Sequence, residues 1–334
     1  MIKTSLDRPA TLDSIAQALR RQVLASFGFP ALSAAFIALL AGLALTLPAP
    51  ARAYLYWNGG DDVTRANLNG TGVNTSFIPD ILGSVQGVAV TTQYVYFGGA
   101  GGTIGRANLN GSGVNRDFIS IPQPVPEYPS AAGEEDAISL AVSTADIYWA
   151  DGNRSGISRA RVDGSGIEMG FIETQADVLG LALGEGHIYW ASEHGIGRAN
   201  LDGSDVEPDF IPLQSTGANG IAVAGGYIYW STRFSGDIGR ANEDGQRVDP
   251  HFVAGLGYVA SLCVGGGYLY WQAEVRSAPT RPSWIGRADL NGTDIQKNLI
   301  NLTKTDSGKL AADALGPGGA TPAKRAKLHH KQRR

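Results

Sequence analysis

Few side chains in this sequence have the type and spacing that catalysis requires. Three of the five histidines, His187, His194 and His251, lie far apart, and no Ser-His-Asp spacing or carboxylate pair accompanies them. The single cysteine, Cys263, stands where related segments have alanine, which indicates a small buried residue rather than a nucleophile. None of these residues points to catalysis.

Metal and glycan chemistry receive equally weak support. Asp202 and Asp205 offer the oxygen ligands that calcium prefers, but no EF-hand or nonapeptide calcium pattern surrounds them. We therefore predict no cofactor and no metal site, with calcium left open. The triplets at Asn69, Asn110 and Asn291 match glycosylation sequons, but they coincide with predicted hairpin turns, whose chemistry explains them.

A repeated arginine is the most regular charged feature of the chain. Each member lies in an I-x-R-A-like context: Arg65, Arg106, Arg159, Arg198, Arg240 and Arg287. Such a set could form an anion-binding ring. Because the arginine recurs at one repeat position, we favour a hydrogen bond or salt bridge between neighbouring repeats.

The same repeat is visible in aromatic pairs, turns and closing apolar pairs. The aromatic pairs begin at Tyr56, Tyr96, Tyr148, Tyr189, Tyr229 and Tyr270, with spacings of 40, 52, 41, 40 and 41 residues. An Asn-Gly or Asp-Gly dipeptide, a strong hairpin signal, follows each arginine. A period near 40 with four strand-like runs is typical of a β-propeller blade.

We therefore predict an all-β, six-bladed propeller over residues 54–316, with strands A, B, C and D in each blade. The first repeat starts at Tyr54 on strand B and lacks strand A. The missing strand is predicted at Lys309–Ala312, where it would complete the first blade and close the ring. Residues 317–334 are basic and predicted to be a disordered tail.

Residues 1–53 are predicted to direct export. The apolar run Phe27–Leu47 is followed by Ala51-Arg52-Ala53, which fits a small-x-small cleavage site. The run is also long enough to form a membrane-spanning helix, so an uncleaved anchor is the alternative. We expect an exported protein, secreted or attached to the cell envelope.

Charge is distributed unevenly along the chain. The net charge of −4 is the balance of +6 on the last 18 residues, +3 on the first 53 and −13 on the residues between them. An acidic body of this kind is a poor partner for nucleic acid. The one cysteine also excludes an intramolecular disulfide.

The blade pattern resembles a known family. The segment IYW followed by I-x-R-A-N-L-D-G-S is similar to the YWTD repeat of low-density lipoprotein receptor propellers, and bacterial secreted or surface proteins with this repeat are closer still. The resemblance covers roughly residues 54–313 and implies the propeller fold. The Thr-Asp of the motif is largely replaced, and only Asp151 keeps the acidic position.

Variable loops predict the binding face. The B–C and D–A loops emerge at one end of a blade, and both long insertions, Ser120–Asp136 and Ala273–Ser283, belong to this set. The candidates there are Asp61, Asp62, Asp151, Asn153, Arg154, Glu193, His194, Arg233, Phe234, Arg276 and Trp284. The competing interpretation is that these loops vary in sequence and length without binding a ligand.

The central channel is the second candidate site. Gln86 and Asn219 are the only polar residues among the six positions just before strand A, and two amides make a poor metal site. We predict a monomeric, non-catalytic extracytoplasmic binding or scaffold module with a protein or glycan ligand and no nucleic acid. Membrane contact would occur only through an uncleaved N-terminal segment. The alternative is a metal-dependent lactonase or lyase with its site in the channel.

Overall fold

The computed structural model describes residues 53–81, 85–99, 102–122, 137–151, 156–213, 217–278, 282–302 and 309–313, with the side chains of residues 137, 138 and 151 excepted. These residues form six four-stranded antiparallel sheets, each ordered A-B-C-D from the centre outwards. The prediction of an all-β, six-bladed propeller is confirmed.

The strands are numbered in chain order. Strands A are β4 (Val85–Val90), β8 (Ala137–Val142), β12 (Gly180–Leu183), β16 (Ala218–Ala224), β20 (Tyr258–Gly265) and β24 (Leu310–Ala312). Strands B are β1 (Tyr54–Asn58), β5 (Tyr94–Gly99), β9 (Asp146–Asp151), β13 (His187–Ala191), β17 (Tyr227–Thr232) and β21 (Tyr268–Glu274). Strands C are β2 (Val63–Asn67), β6 (Thr103–Asn108), β10 (Gly156–Arg161), β14 (Gly195–Asn200), β18 (Ile238–Asn242) and β22 (Ser283–Asp289). Strands D are β3 (Asn74–Ile78), β7 (Asn115–Ser120), β11 (Glu168–Glu173), β15 (Glu207–Pro212), β19 (Asp249–Val253) and β23 (Gln296–Leu302).

Blade 1 joins the two ends of the described chain. Strand β24 pairs with β1 in the register Leu55–Ala312, Tyr56–Ala311 and Trp57–Leu310. This confirms the predicted return of the chain to complete the first blade. Strand β24 therefore takes the inner position in blade 1 that the other strands A take in their own blades.

Asp313 fastens this closure. Its carboxylate accepts a hydrogen bond from the backbone nitrogen of Tyr54 at 2.8 Å and one from the Tyr56 hydroxyl at 3.5 Å. The Asp313 nitrogen donates back to the Tyr54 carbonyl at 3.1 Å. Burial is the main cause that raises the pKa of Asp313 to about 6.

Strand B lies between strands A and C in each blade, and its aromatic pair is fully buried. Trp190 faces Gly197 across strands β13 and β14, and a Cβ at Gly197 would lie 2.0 Å from the indole ring. The same pairing joins Trp230 to Gly239. Glycine is needed here because the ring lies flat over the neighbouring strand.

The apolar core consists of six clusters, each shared by two adjacent blades. In one of them, Tyr56 and Ile78 of blade 1 pack with Val88 and Phe97 of blade 2. The blades therefore stabilise one another by burying apolar surface between sheets, rather than within each sheet alone.

Polar contacts repeat at the same interfaces between adjacent blades, which we call seams. The strand-B tyrosine or strand-C arginine of a blade donates a hydrogen bond to a carbonyl at the C–D turn of the next blade. Tyr229 Oη and Arg240 Nη1 donate to the Leu290 carbonyl at 2.9 and 3.4 Å. The acceptors at the other five seams are the carbonyls of Leu68, Leu109, Val162, Leu201 and Glu243.

The repeated arginines thus have structural partners. The hydrogen bond between blades is confirmed for Arg65, Arg106, Arg240 and Arg287. Arg159 and Arg198 instead form ion pairs with the strand-D residues Glu168 and Glu207 of their own blades. In five blades the guanidinium also lies 3.7–4.0 Å from the centroid of the strand-D phenylalanine.

The predicted turn chemistry and the burial of the cysteine are confirmed as well. Asn69 Oδ1 accepts hydrogen bonds from the nitrogen and hydroxyl of Thr71 at 3.1 and 2.7 Å, which closes the hairpin turn. Cys263 is buried, and burial raises the pKa of its thiol well above the usual range. A protonated, inaccessible thiol is a poor nucleophile.

The predictions for residues 1–52 and 314–334 fall outside the described residues, so the export signal, the anchor helix and the basic tail stay predictions. The proposed domain limits at residues 53 and 316 also stay predictions. Within the described ranges, no helix is long and apolar enough to cross a membrane.

The contact between Phe171 and the C–D turn of blade 4 predicts that two alanine substitutions in this blade lower the unfolding free energy by different amounts. Gly186 and Gly203 have φ angles of +83° and +85°, but only Gly203 lies against a neighbour, with Phe171 atoms 2.7 Å from a built Cβ. Gly186→Ala should cost about 1 kcal/mol of unfolding free energy for the backbone conformation. Gly203→Ala should cost roughly 2–4 kcal/mol because Phe171 must also move.

Denaturant titration of both variants measures this difference. Phe171→Ala combined with Gly203→Ala should cost less than the sum of the two single substitutions, because removing the ring removes its contact with the added methyl group. Equal costs for Gly186→Ala and Gly203→Ala would show that the phenylalanine contact does not constrain the turn.

The raised pKa of Asp313 predicts that this carboxyl stabilises the folded protein more at acidic pH than at neutral pH. Its pKa is about 6 in the folded protein, above the ordinary value of 3.8, so the folded state binds the proton more tightly. Its contribution is complete below pH 3.8 and is lost as pH rises through about 6. The unfolding free energy of the wild type minus that of Asp313→Asn should therefore decrease from pH 4 to pH 7.

Denaturant titrations across that pH range test the assignment. Asp117→Asn, at an exposed position in β7, is the control and should follow the wild-type pH profile. A pH-independent difference between wild type and Asp313→Asn would refute the role of this carboxyl.

Candidate binding surface at the B–C and D–A loops

The B–C loop of blade 5 is an ordered turn that presents an aromatic side chain. Thr232 Oγ1 lies 2.5 Å from Ser235 Oγ, and it accepts a hydrogen bond from the Asp237 nitrogen at 3.2 Å. These bonds close the loop on itself. Phe234, at its tip, is 77% exposed.

An ion pair connects this loop to blade 4. Arg233 Nη1 lies 3.6 Å from Glu193 Oε2 in the B–C loop of that blade, and the Arg233 guanidinium lies 5.7 Å from the centroid of the Phe234 ring. His194 is exposed beside Glu193. The structure therefore brings together four of the predicted binding residues.

The opposite side of the loop packs against the D–A connection to blade 6. Asp237 is buried, and its carboxylate accepts a hydrogen bond from the Gly255 nitrogen at 3.0 Å and lies 2.6 Å from His251 Nδ1. Gly236 touches Gly257 so closely that a Cβ there would lie 2.2 Å from the Gly257 carbonyl oxygen. The spacing along the chain does not show that the Asp237 carboxylate reaches partners 14 and 18 residues away.

Blade 6 continues the surface. The Arg276 guanidinium lies 3.2 Å from the centroid of the Tyr258 ring, and its Nε donates to Glu274 Oε1 at 2.6 Å. Tyr258 and Glu274 were not predicted.

Trp284 is only half-buried, and its ring packs against the core cluster between blades 5 and 6. We call Glu193, Arg233, Phe234, Tyr258 and Arg276 the loop patch.

Asp61 and Asp62, two further predicted residues, belong to a different loop from the patch. Asp62, in the B–C loop of blade 1, accepts hydrogen bonds from Ser76 Oγ at 2.7 Å and from the Asp80 nitrogen at 3.1 Å, so it secures a turn. Asp61 is exposed in the same loop. Asp151 ends β9, but its side chain, together with Asn153, Arg154 and residues 123–136, falls outside the described part.

Apolar side chains line part of the central channel. One buried aliphatic residue from each blade contributes to it: Val88, Leu140, Leu181, Ile221, Leu262 and Leu310. Adjacent to this ring, the strands come so close that a Cβ at Gly180 would lie 2.7 Å from the Asn219 carbonyl oxygen. Small residues are required at this level of the channel.

Neither predicted channel residue has the surroundings of a metal ligand. Asn219 Nδ2 donates to the Tyr258 hydroxyl at 3.0 Å and to the Ala260 carbonyl at 3.1 Å, so its amide joins blades 5 and 6. Gln86 is half-buried next to the bulge of β4. Lys309 enters the same channel and donates a hydrogen bond to the Leu179 carbonyl. An ammonium and an apolar ring do not fit a divalent cation.

Metal-binding groups are also lacking elsewhere in the described ranges, where no three His, Cys, Asp or Glu side chains come together. Asp202 and Asp205, the residues considered for calcium, are engaged by Ser204 and Asn200. The hydroxyl of Ser204 holds the pKa of Asp202 below its usual range.

Comparisons with known proteins identify the fold. A chain of the nidogen/laminin complex is similar with a TM-score of 0.62 and 17% identity, covering 79% of this chain and 99% of that one. Virginiamycin B lyase from Staphylococcus aureus is similar with a TM-score of 0.50 and 18% identity, covering 71% and 76%. At these identities the likeness concerns the fold alone. No protein-family model and no curated protein sequence matches the chain.

The Asp237 contacts predict that one carboxylate orders two loops. Asp237→Ala removes the acceptor for Gly255 and the partner of His251. Amide exchange in residues 232–237 and 254–257 should accelerate roughly tenfold or more, because hydrogen bonds to a charged group contribute about 1.5–3 kcal/mol.

Hydrogen exchange with mass spectrometry provides the measurement. Asp244→Ala is the matched control in the C–D turn of the same blade, where the carboxylate accepts only a local bond from the Gln246 nitrogen at 2.9 Å among the bonds described. It should leave the exchange of residues 254–257 unchanged. Unaltered exchange of these residues in Asp237→Ala would disprove the coupling.

Proposed function

We propose that this chain is a non-catalytic binding module of the YWTD-repeat class that recognises a protein through the loop patch. Its scaffold is the six-bladed propeller. The observation that carries the proposal is the exposed Phe234 on a loop that the structure holds in place. We further propose that the module is exported, works outside the cytoplasm and is monomeric.

Phe234 differs from the other exposed hydrophobic residues. Val73, Val206, Val248 and Ile295 are each 41–46% exposed, and all follow the C–D turn at one repeat position, at the opposite end of the blades. Phe234 is more exposed and belongs to a loop whose sequence the other blades do not share. Repetition of the blade therefore explains the aliphatic set but does not explain Phe234.

The residues around Phe234 have the composition of protein-binding surfaces. Aromatic and arginine side chains contribute most of the binding energy in many interfaces. Arg233 and Arg276 flank the aromatic residues, and Glu193 and Glu274 restrain these arginines through ion pairs. Side chains that are already oriented lose less conformational entropy on binding.

The similar chain belongs to a complex of nidogen with laminin, which supports a protein as the ligand class. The export proposal depends on the sequence of residues 1–53, and the YWTD proposal on the repeat pattern. Loss of binding after enzymatic deglycosylation of the extract would instead indicate a glycan ligand.

We predict that Phe234→Ala lowers the affinity for the partner roughly tenfold or more, because truncating an exposed aromatic anchor removes its contacts. The full-length protein would be immobilised and incubated with envelope extract, and the bound proteins would be quantified by mass spectrometry. Val248→Ala, an exposed apolar residue of the same blade at the other end, should retain the wild-type profile.

Two results would contradict the proposal. One is an identical set of bound proteins for wild type and Phe234→Ala. The other is equal loss with Val248→Ala, which would indicate general stickiness. Metal-dependent hydrolysis of lactones by the purified protein would instead favour the channel-centred lactonase or lyase.

A further inference from the structure

A partly buried lysine ammonium lies in the central channel. Lys309 immediately precedes β24 in blade 1, and its Nζ donates a hydrogen bond across the channel to the Leu179 carbonyl of blade 4. Among the described residues, no aspartate or glutamate pairs with it. The six inner strands carry no acidic and no other basic side chain.

This arrangement leaves a positive charge poorly compensated. Burial lowers the pKa of Lys309 to about 8, so the protonated form still predominates at pH 7. A desolvated charge is costly unless a counter-charge or several hydrogen bonds accompany it. One carbonyl oxygen satisfies only one of the three N–H groups.

A small cavity lies beside the ammonium. Its volume is about 30 Å³, and its lining includes Ser139, Ser261, Gly180 and Gly220 together with Lys309. The space admits species of about the size of water rather than an organic ligand.

The lining supplies hydrogen-bond donors. Ser139 Oγ accepts from the Leu181 nitrogen at 3.1 Å and Ser261 Oγ from the Leu310 nitrogen at 2.9 Å. Each serine oxygen is thus an acceptor for backbone, and its own O–H remains to donate elsewhere. Donors around a cation, with no carboxylate in the lining, suit an anion and oppose a metal ion.

We propose that the channel binds a small monovalent anion of halide size between the Lys309 ammonium and the hydroxyls of Ser139 and Ser261. The anion neutralises the lysine and links blade 1 to the opposite half of the ring. The site is separate from the loop patch, and its occupation does not depend on the proposed partner.

Thermal unfolding of the full-length protein tests the proposal. Chloride would replace gluconate, which is too large for the cavity, at constant ionic strength and pH 7. The midpoint should rise by roughly 2–4 °C and saturate with chloride concentration, as expected for a ligand that binds only the folded state. The rise should diminish as pH is increased above 8, because the neutral amine no longer attracts the anion.

Variants separate the site from general salt effects. Lys309→Met should lose the chloride response, whereas Lys297→Met should keep it, because the exposed Lys297 donates to the Gly255 carbonyl at the surface. Ser139→Ala with Ser261→Ala should raise the chloride concentration at half-saturation severalfold. An unchanged response in Lys309→Met would overturn the proposal.

A direct measurement does not depend on the folding of any variant. Crystals of the wild-type protein soaked in bromide should show an anomalous peak within hydrogen-bond distance of Lys309 Nζ. Water at that position, with bromide peaks only on the surface, would overturn the proposal.

Discussion

The structure depends on the contact between each blade and the C–D turn of the next. A tyrosine or arginine of one blade donates a hydrogen bond to a carbonyl of the turn, as Tyr270 does to Leu68 at 2.9 Å. Beside it, a strand-D side chain covers the glycine of the same turn, as Phe171 covers Gly203. Only glycine combines the positive φ with the space for this side chain. The most regular residues of the repeat are therefore explained by packing.

Regular seams make the ring a scaffold on which individual loops can differ. The buried clusters and turn contacts lie between blades, while the B–C loops extend beyond the strands and share few of these restraints. Blade 5 uses that freedom in the segment from Thr232 to Asp237, where an internal hydrogen-bond network exposes Phe234. An aromatic side chain held outwards in this way is accessible to a partner, as the proposed function requires.

The channel follows a different constraint. Six inner strands converge there, so most residues must be small, as at Gly180 and Gly220, or aliphatic, as at Leu262. Lys309 departs from this rule at the position just before β24, the strand that returns from the far end of the chain to complete blade 1. Its charge needs a partner that the neighbouring inner strands do not supply, and this separates the chemistry of the channel from that of the loops.

The sequence by itself determined the number of blades, the closing strand near Leu310, and the structural role of Arg240 and its counterparts. Each of these follows from the repeat length or from residues that recur at one position of the repeat. The sequence also indicated the loop face from insertion lengths. Tertiary structure alone decided which loop residues meet, such as Arg233 with Glu193 and Arg276 with Tyr258. It also decided that Asn219 joins two blades and that Lys309 lies in the channel. These contacts join residues from different blades or opposite sides of the ring, and no spacing along the chain encodes which distant side chain or carbonyl a given group will reach.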